Sequence, residues 1–242
     1  MATTVIIAVD DTDMPGTRGT GRLARELGAA LEAAGKGRLA GVTRHQFHVG
    51  PGVPMTSHNS AAALALDTSS SLDDLEAFAR AFMSREFIEG SDPGLALLDG
   101  PAPQPVIAFA RRAQRELVTR IEAERLADRY ALRVRGLGGT RDGVIGAMSA
   151  AALRWDGNDG RFVGLPAIRD LLGRVTVGEA MARAPIAAIV EETTARPLDP
   201  AAILDTGDWV RPRLVGGRAV VVARPTTTPG VWINVDHRTH ED

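Results

Sequence analysis

Residues 5–24, VIIAVDDTDMPGTRGTGRLA, constrain the fold more than any other stretch of this 242-residue chain. Val5 to Val9 form an apolar, β-branched run, the composition of a buried strand. Three carboxylates follow, Asp10, Asp11 and Asp13, and then a loop holding Pro15, Gly16, Gly19 and Gly21. A helical pattern begins at about Leu23. Strand, acidic loop, glycine-rich turn and helix, in that order, place polar groups at the carboxyl end of a strand, where open α/β sheets keep their ligands. Clustered carboxylates repel one another unless a cation or hydrogen-bond donors compensate them. Mg2+ takes oxygen ligands and is held by one or two carboxylates together with substrate phosphates. Asp10, Asp11 and Asp13 are therefore candidate metal ligands. The alternative is that they form Asx-turns and cap the helix.

The rest of the chain has globular composition, 44% apolar and 24% charged, with a formal net charge of −2. That charge gives no overall pull towards nucleic acid or membrane. Lys36 is the sole lysine among 28 basic residues. Phosphate recognition must then rest mainly on guanidinium groups, backbone N–H groups or metal. The absence of cysteine excludes disulfides, thiol nucleophiles and cysteine-ligated zinc. The N-terminal apolar run is short and lacks the basic flank of a signal peptide, and no segment approaches membrane-span length. A cytoplasmic protein is expected.

Leu23, Leu27 and Leu31 recur every fourth residue, predicting an amphipathic helix over 22–34 that ends near Gly35. AGVTRHQFHV reads as a second strand, followed by the proline-bounded loop GPGVPMTSHNS. Its polar cluster, Thr56 to Ser60 with His58 and Asn59, is either a binding loop or a set of capping residues. His45 and His48 fall on opposite faces of a strand, a poor arrangement for one metal. A helix is expected over 72–88, and GLALLDG at 94–100 reads as a short buried strand introduced by the turn SDPG. Pro105 starts a further helical region, one long helix or two in succession, whose arginines read as a solvated face.

A second informative stretch is 134–155, VRGLGGTRDGVIGAMSAAALRW. Gly136, Gly138, Gly139, Gly143 and Gly146 crowd the entry to an alanine-rich helix. Such an entry lets backbone amides approach an anion closely, and Arg141 offers a guanidinium in the same loop. Helix packing is the competing explanation for these glycines. The dinucleotide and P-loop fingerprints are both absent. WDGNDGRFV reads as a hairpin turning at 156–160. Beyond it the chain looks β-rich, with a short helix in VTVGEAMARAP, a strand in IAAIVEE, a hairpin around Gly216-Gly217 and a last strand in VWINVD.

These motifs together resemble the tRNA(Ile) agmatinylcytidine synthetase (TiaS) family. VIIAVDDTDMPGTRGTGRLA looks like the opening of that family's kinase-like module. HVGPGVPMTSHNSAA is similar to its proline-and-asparagine loop, SDPGLALL to a strand of its ferredoxin-like domain, and GTRDGVIGAMSA to its glycine-rich ATP-phosphate segment. The resemblance runs over residues 5–165. It implies an α/β (α+β) fold with a kinase-like mixed sheet formed by 1–60 and 105–165 and a ferredoxin-like insertion at 61–104, to which the strand pattern of the remaining residues adds a small β-rich extension at 166–242. It implies ATP and Mg2+ as cofactors. Thr20 falls at the threonine implicated in phosphoryl transfer, Gly19 replaces a cysteine, and His58 and Asn59 fall near the nucleotide. Gly138, Gly139, Arg141 and Gly143 fall at the phosphates. The OB-fold and cysteine-bearing zinc ribbon with which the family grips tRNA have no counterpart in the remaining residues.

The resulting expectation is an ATP- and Mg2+-dependent phosphotransferase or ligase acting on a small-molecule acceptor, with tRNA and membranes not expected as partners and a homodimer as a further expectation. A non-catalytic nucleotide-binding module is one alternative. A haloacid-dehalogenase-like phosphatase is another, on the strand followed by D-x-D at Asp11 and Asp13. That family needs a lysine downstream, and none follows Lys36.

Overall fold

An apolar run such as Val5–Val9 needs cover on both of its faces, and the fold supplies it. The computed structural model describes residues 3–52, 58–207 and 209–236. The chain divides into two compact units, Met1–Asp156 and Gly157–Asp242.

In the first unit, β1 (Thr3–Asp10) lies between β3 (Ser60–Thr68) and β4 (Gly94–Leu98). Outside these, β2 (Arg38–Gln46) pairs with β3, and β5 (Arg133–Gly136) pairs with β4. The order is β5-β4-β1-β3-β2, antiparallel throughout. Alternation along β1 splits its side chains between two faces. Ile6 and Ala8 join Ala61, Ala63 and Ala65 of β3 and Ala96 and Leu98 of β4 in one core. That core is closed by α3 (Gln104–Ala113), α4 (Arg120–Arg129) and α5 (Val144–Asp156). The small alanine side chains on both surfaces let α5 lie close to the sheet. On the opposite face, α1 (Thr20–Ala33) buries Leu23, Leu27 and Leu31 beside α2 (Leu72–Glu86), which buries Leu75, Ala79 and Met83. Each such leucine contributes about 1.5–3 kcal/mol of burial.

Local signals set the helix ends. Gly35 stops α1 at φ +66°, where a left-handed residue is needed, and the Lys36 N–H donates back to the Leu31 carbonyl at 2.9 Å. The Ser71 hydroxyl caps α2 by accepting from the Asp74 N–H at 3.1 Å. The arginine-rich region forms two helices, since α3 ends at Ala113 and α4 starts only at Arg120 under a Thr119 cap.

Three expectations need correction. Residues 61–104 supply β3, α2 and β4, and both strands flank β1, so these residues belong to the same sheet and are not inserted beside it. The unit boundary falls after Asp156, not at 165. WDGNDGRFV forms no hairpin, because Trp155 and Asp156 complete the last turn of α5.

In the second unit, β6 (Arg161–Gly164) pairs with β10 (Arg213–Val215), which forms a hairpin with β11 (Arg218–Pro225). Gly216 and Gly217, at φ +55° and +74°, provide the two left-handed positions that a tight hairpin turn requires. β12 (Val231–Asn234) continues the sheet, followed by β9 (Ile203–Asp205) and β7 (Arg174–Thr176), while β8 (Ala188–Glu191) pairs with β11 in parallel. α6 (Val177–Arg183) begins with a Thr176–Glu179 capping box. The buried Asp236 carboxylate accepts from Arg161 at 2.7 Å and Arg213 at 2.6 Å. Among the described residues no helix is long and apolar enough to cross a membrane.

Candidate functional site

Asp10 is the last residue of β1 and lies opposite Gly94, the first of β4. Asp11 leaves the sheet at φ +48°, a left-handed conformation that aspartate tolerates better than most side chains. Its carboxylate accepts the Asp92 backbone N–H. Thr20, at the start of α1, is buried at the centre of a short relay. Its hydroxyl donates to Asp13 Oδ1 at 2.9 Å and accepts from the Thr12 hydroxyl at 3.1 Å and the Thr12 N–H at 3.4 Å. Arg18 anchors this loop to the end of α2 through Glu86 at 2.6 Å, and also pairs with Glu26 at 3.0 Å.

The entry to α5 faces these carboxylates. A Cβ at Gly146 would overlap the Asp10 carboxylate, and one at Gly143 would overlap the Asp92 carbonyl and come within 2.7 Å of the Gly94 nitrogen. Gly146 is therefore required by close approach of the acidic loop to the helix entry, and Gly143 by close approach of the Asp92–Gly94 backbone.

Between them lies a cavity of about 350 Å³. Asp10, Asp11, Asp13 and Thr20 form one wall, and Asp142, Gly143, Ile145 and Gly146 form another. His58, Asn59 and Ser60 contribute from the start of β3, and Phe47, Ala113, Leu117 and Val118 make an apolar end. One cavity thus joins a carboxylate-rich end to an apolar one.

Burial, reinforced by the neighbouring Asp11 charge, pushes the Asp10 carboxyl up to about 8. Burial and the Asp92 charge push Asp11 up to about 6. Both carboxylates are short of positive charge, which is the condition a bound cation relieves. Among the described residues no three acidic or histidine side chains converge into a ready-made metal cage. Two carboxylates supplemented by ligand oxygens fit Mg2+, which rarely uses an all-protein cage.

Of the residues expected from sequence, Asp10, Asp11, Asp13, Thr20, His58, Asn59 and Gly143 come together on this cavity. Gly19, Gly138, Gly139 and Arg141 do not line it. Gly19 precedes α1 with no neighbour near its Cβ position, and Gly138 packs on the Pro93 ring. Gly139 backs onto the Asp92 carboxylate. The Arg141 stem covers Gly136, and its guanidinium faces Glu124 at 3.7 Å. The cavity's cation is instead Arg120, held by Glu124 at 2.8 Å and Asp142 at 3.4 Å. Asn59 has a structural bond as well, donating to the His48 carbonyl at 2.8 Å. His45 is buried in contact with the Thr43 hydroxyl at 2.9 Å, while His48 lines the cavity. Thr56 and Ser57 lie outside the described residues. Asp92, Arg120 and Asp142 are the participants that sequence reasoning missed. Only Asp92 carried a signal, the S-D-P-G turn.

The D-x-D phosphatase alternative finds no support in this geometry. The Lys36 carbonyl accepts from the hydroxyls of Thr68 at 2.5 Å and Ser70 at 3.1 Å. Thr68 pairs with Thr3, so Lys36 lies at the end of the sheet away from Asp10.

No protein-family model and no curated protein matches the chain. Solved structures do. A tRNA fluorescent labeling enzyme and TiaS in complex with tRNA and ATP each match with a TM-score of 0.55 at 21% identity, over 62% of this chain. The chain has a TiaS-like fold. Apo TiaS matches with a TM-score of 0.54 at 20% identity. The chain spans about 36% of the length of the TiaS structures it matches, so the TiaS-like likeness concerns the architecture and not the whole protein's activity.

Proposed function

We propose that Met1–Asp156 is an ATP- and Mg2+-dependent phosphotransferase or ligase core acting on a small-molecule acceptor. The observation that carries this reading is the meeting of the Asp10 carboxyl with Gly146, which puts an electron-rich acidic loop and an anion-favouring helix entry on one cavity. TiaS of the same fold has been solved with ATP, and with AMPCPP and agmatine.

The roles follow from position. The apolar end, with Phe47 and Val118, suits a nucleobase, and the polar end suits its phosphates. Asp10 and Asp11 are the residues that would hold Mg2+, which when bound neutralises phosphate charge. Asp13 is the acceptor in the Thr12–Thr20–Asp13 relay, so it is the group placed to take the Thr20 proton. Arg120 supplies fixed positive charge from the facing wall. Phosphoryl transfer needs chiefly such positioning and charge neutralisation.

Wild-type protein should turn over ATP only with Mg2+ in the presence of a panel of small amines and carboxylates. Asp11→Asn should abolish turnover without lowering the melting temperature, since it removes a carboxylate that burial and the Asp92 charge already disfavour. Binding of Mg2+-ATP without turnover across that panel would favour a nucleotide sensor, and no binding at all would reject the reading.

A further inference from the structure

The amides of the glycine-rich loop are not all free to meet phosphate, because the protein's own Asp92 occupies part of the loop. The Thr140 N–H and the Thr140 hydroxyl both donate to the Asp92 carboxylate at 2.5 Å. Gly139, at φ +53°, has no room for a Cβ against the same carboxylate. The Leu137 N–H donates to the next residue's carbonyl, Pro93, at 2.8 Å, and Gly143 packs on the Asp92 carbonyl. On its other side the Asp92 backbone N–H donates to the Asp11 carboxylate.

We infer that Asp92 is a positioning residue that locks the glycine-rich loop onto the acidic loop, fixing where the Gly143–Gly146 entry stands relative to Asp10 and Asp11. The inference rests on the nucleotide-site reading for its consequence but not for the lock itself. The loop carboxylate plays the part an anion plays in a backbone nest, so Gly138–Thr140 is scaffold and the α5 entry is left to face the cavity. Two charge-assisted bonds from neighbouring donors are among the stronger local ties a loop can have.

The test has two arms. In ligand-free protein, hydrogen exchange at Thr140 should be slow in the wild type and about 10-fold or more faster in Asp92→Ala, as expected for losing a charge-assisted bond. In the second arm, calorimetry with Mg2+ and a non-hydrolysable ATP analogue should show binding weakened about 10-fold by Asp92→Ala. Asp92→Asn, whose carbonyl still accepts, should restore both readouts to within about 3-fold. Should Asp92→Ala fail to fold, Thr140→Val, at an exposed position, removes the hydroxyl arm alone and should weaken binding about 3-fold or more. Wild-type exchange at Thr140 in Asp92→Ala would overturn the lock. Tighter nucleotide binding by that variant would also overturn it, by showing that Asp92 blocks a phosphate subsite. A wild type that binds no nucleotide rejects the functional reading, while the exchange arm still decides the lock.

Discussion

Replacing Asp10 with asparagine separates the energetic cost of the site from its use. Asp10 ends a buried strand, its carboxyl faces Gly146, and burial with the adjacent Asp11 charge raises it from 3.8 to about 8. The folded state therefore holds this proton more tightly than the unfolded chain does, and metal-free stability is lost as pH rises from about 4 to about 8. At about 1.4 kcal/mol per tenfold change in proton affinity, the ceiling on that loss is about 6 kcal/mol. Asp10 keeps some exposure at the strand end, and solvent screening brings the working figure to about 1–3 kcal/mol. Asparagine keeps the shape and the acceptor for the Asp11 N–H while removing the charge. Asp10→Asn should therefore raise the melting temperature by about 3–10 °C at pH 8.5 without divalent metal. It should also lose Mg2+-dependent nucleotide binding by calorimetry. In the wild type, Mg2+ should recover part of the stability lost at high pH, since metal and proton compete for the same oxygens. A variant that is less stable than wild type at pH 8.5, or that binds Mg2+-nucleotide as the wild type does, would refute the reasoning.

Three further outcomes are expected. Gly146→Ala drives a methyl into the Asp10 carboxyl and should cost about 1–3 kcal/mol in urea unfolding together with nucleotide affinity; Gly19→Ala, with open space around it, should change neither by a measurable amount. Arg120→Met should weaken nucleotide binding about 10-fold in calorimetry, whereas Arg141→Met, whose stem still covers Gly136, should stay within about 2-fold. Asp236→Ala leaves Arg161 and Arg213 without their shared carboxylate and should destabilise Gly157–Asp242 by about 1–3 kcal/mol in thermal unfolding, with nucleotide binding unchanged.

The elements that were legible in the sequence are those whose burial dictates a pattern. β1 is covered on both faces and reads as an unbroken apolar run; α1 is covered on one and repeats leucine every fourth residue. β5 was hidden because it is a four-residue edge strand carrying Arg133 and Arg135, which pair with the buried Glu76 at 3.1 and 2.7 Å, so it shows no apolar alternation. β7 and β9 are three residues each, too short for any period to show. The insertion expected at 61–104 failed for a different reason: local pattern marks strands but not their partners, and β3 finds β1 and β2 across the chain. At the cavity, the acidic loop and the α5 entry stood out because carboxylates and glycines cluster there in sequence, although both clusters also allow structural readings and Gly138 and Gly139 turn out to pack on Pro93 and Asp92. The choice of Arg120 over Arg141 was not, since Arg141 lies in the glycine-rich loop while Arg120 belongs to a helical region whose arginines read as a solvated face, and only the fold decides which guanidinium reaches the cavity.

The most direct measurement is crystallographic: Mn2+ in place of Mg2+, a non-hydrolysable ATP analogue, and anomalous scattering to locate the metal. A metal peak bonded to Asp10 or Asp11 and to a phosphate lying against Gly143 and Gly146 is the predicted result. A nucleotide bound away from that cavity, or a metal that touches neither carboxylate, would contradict the account.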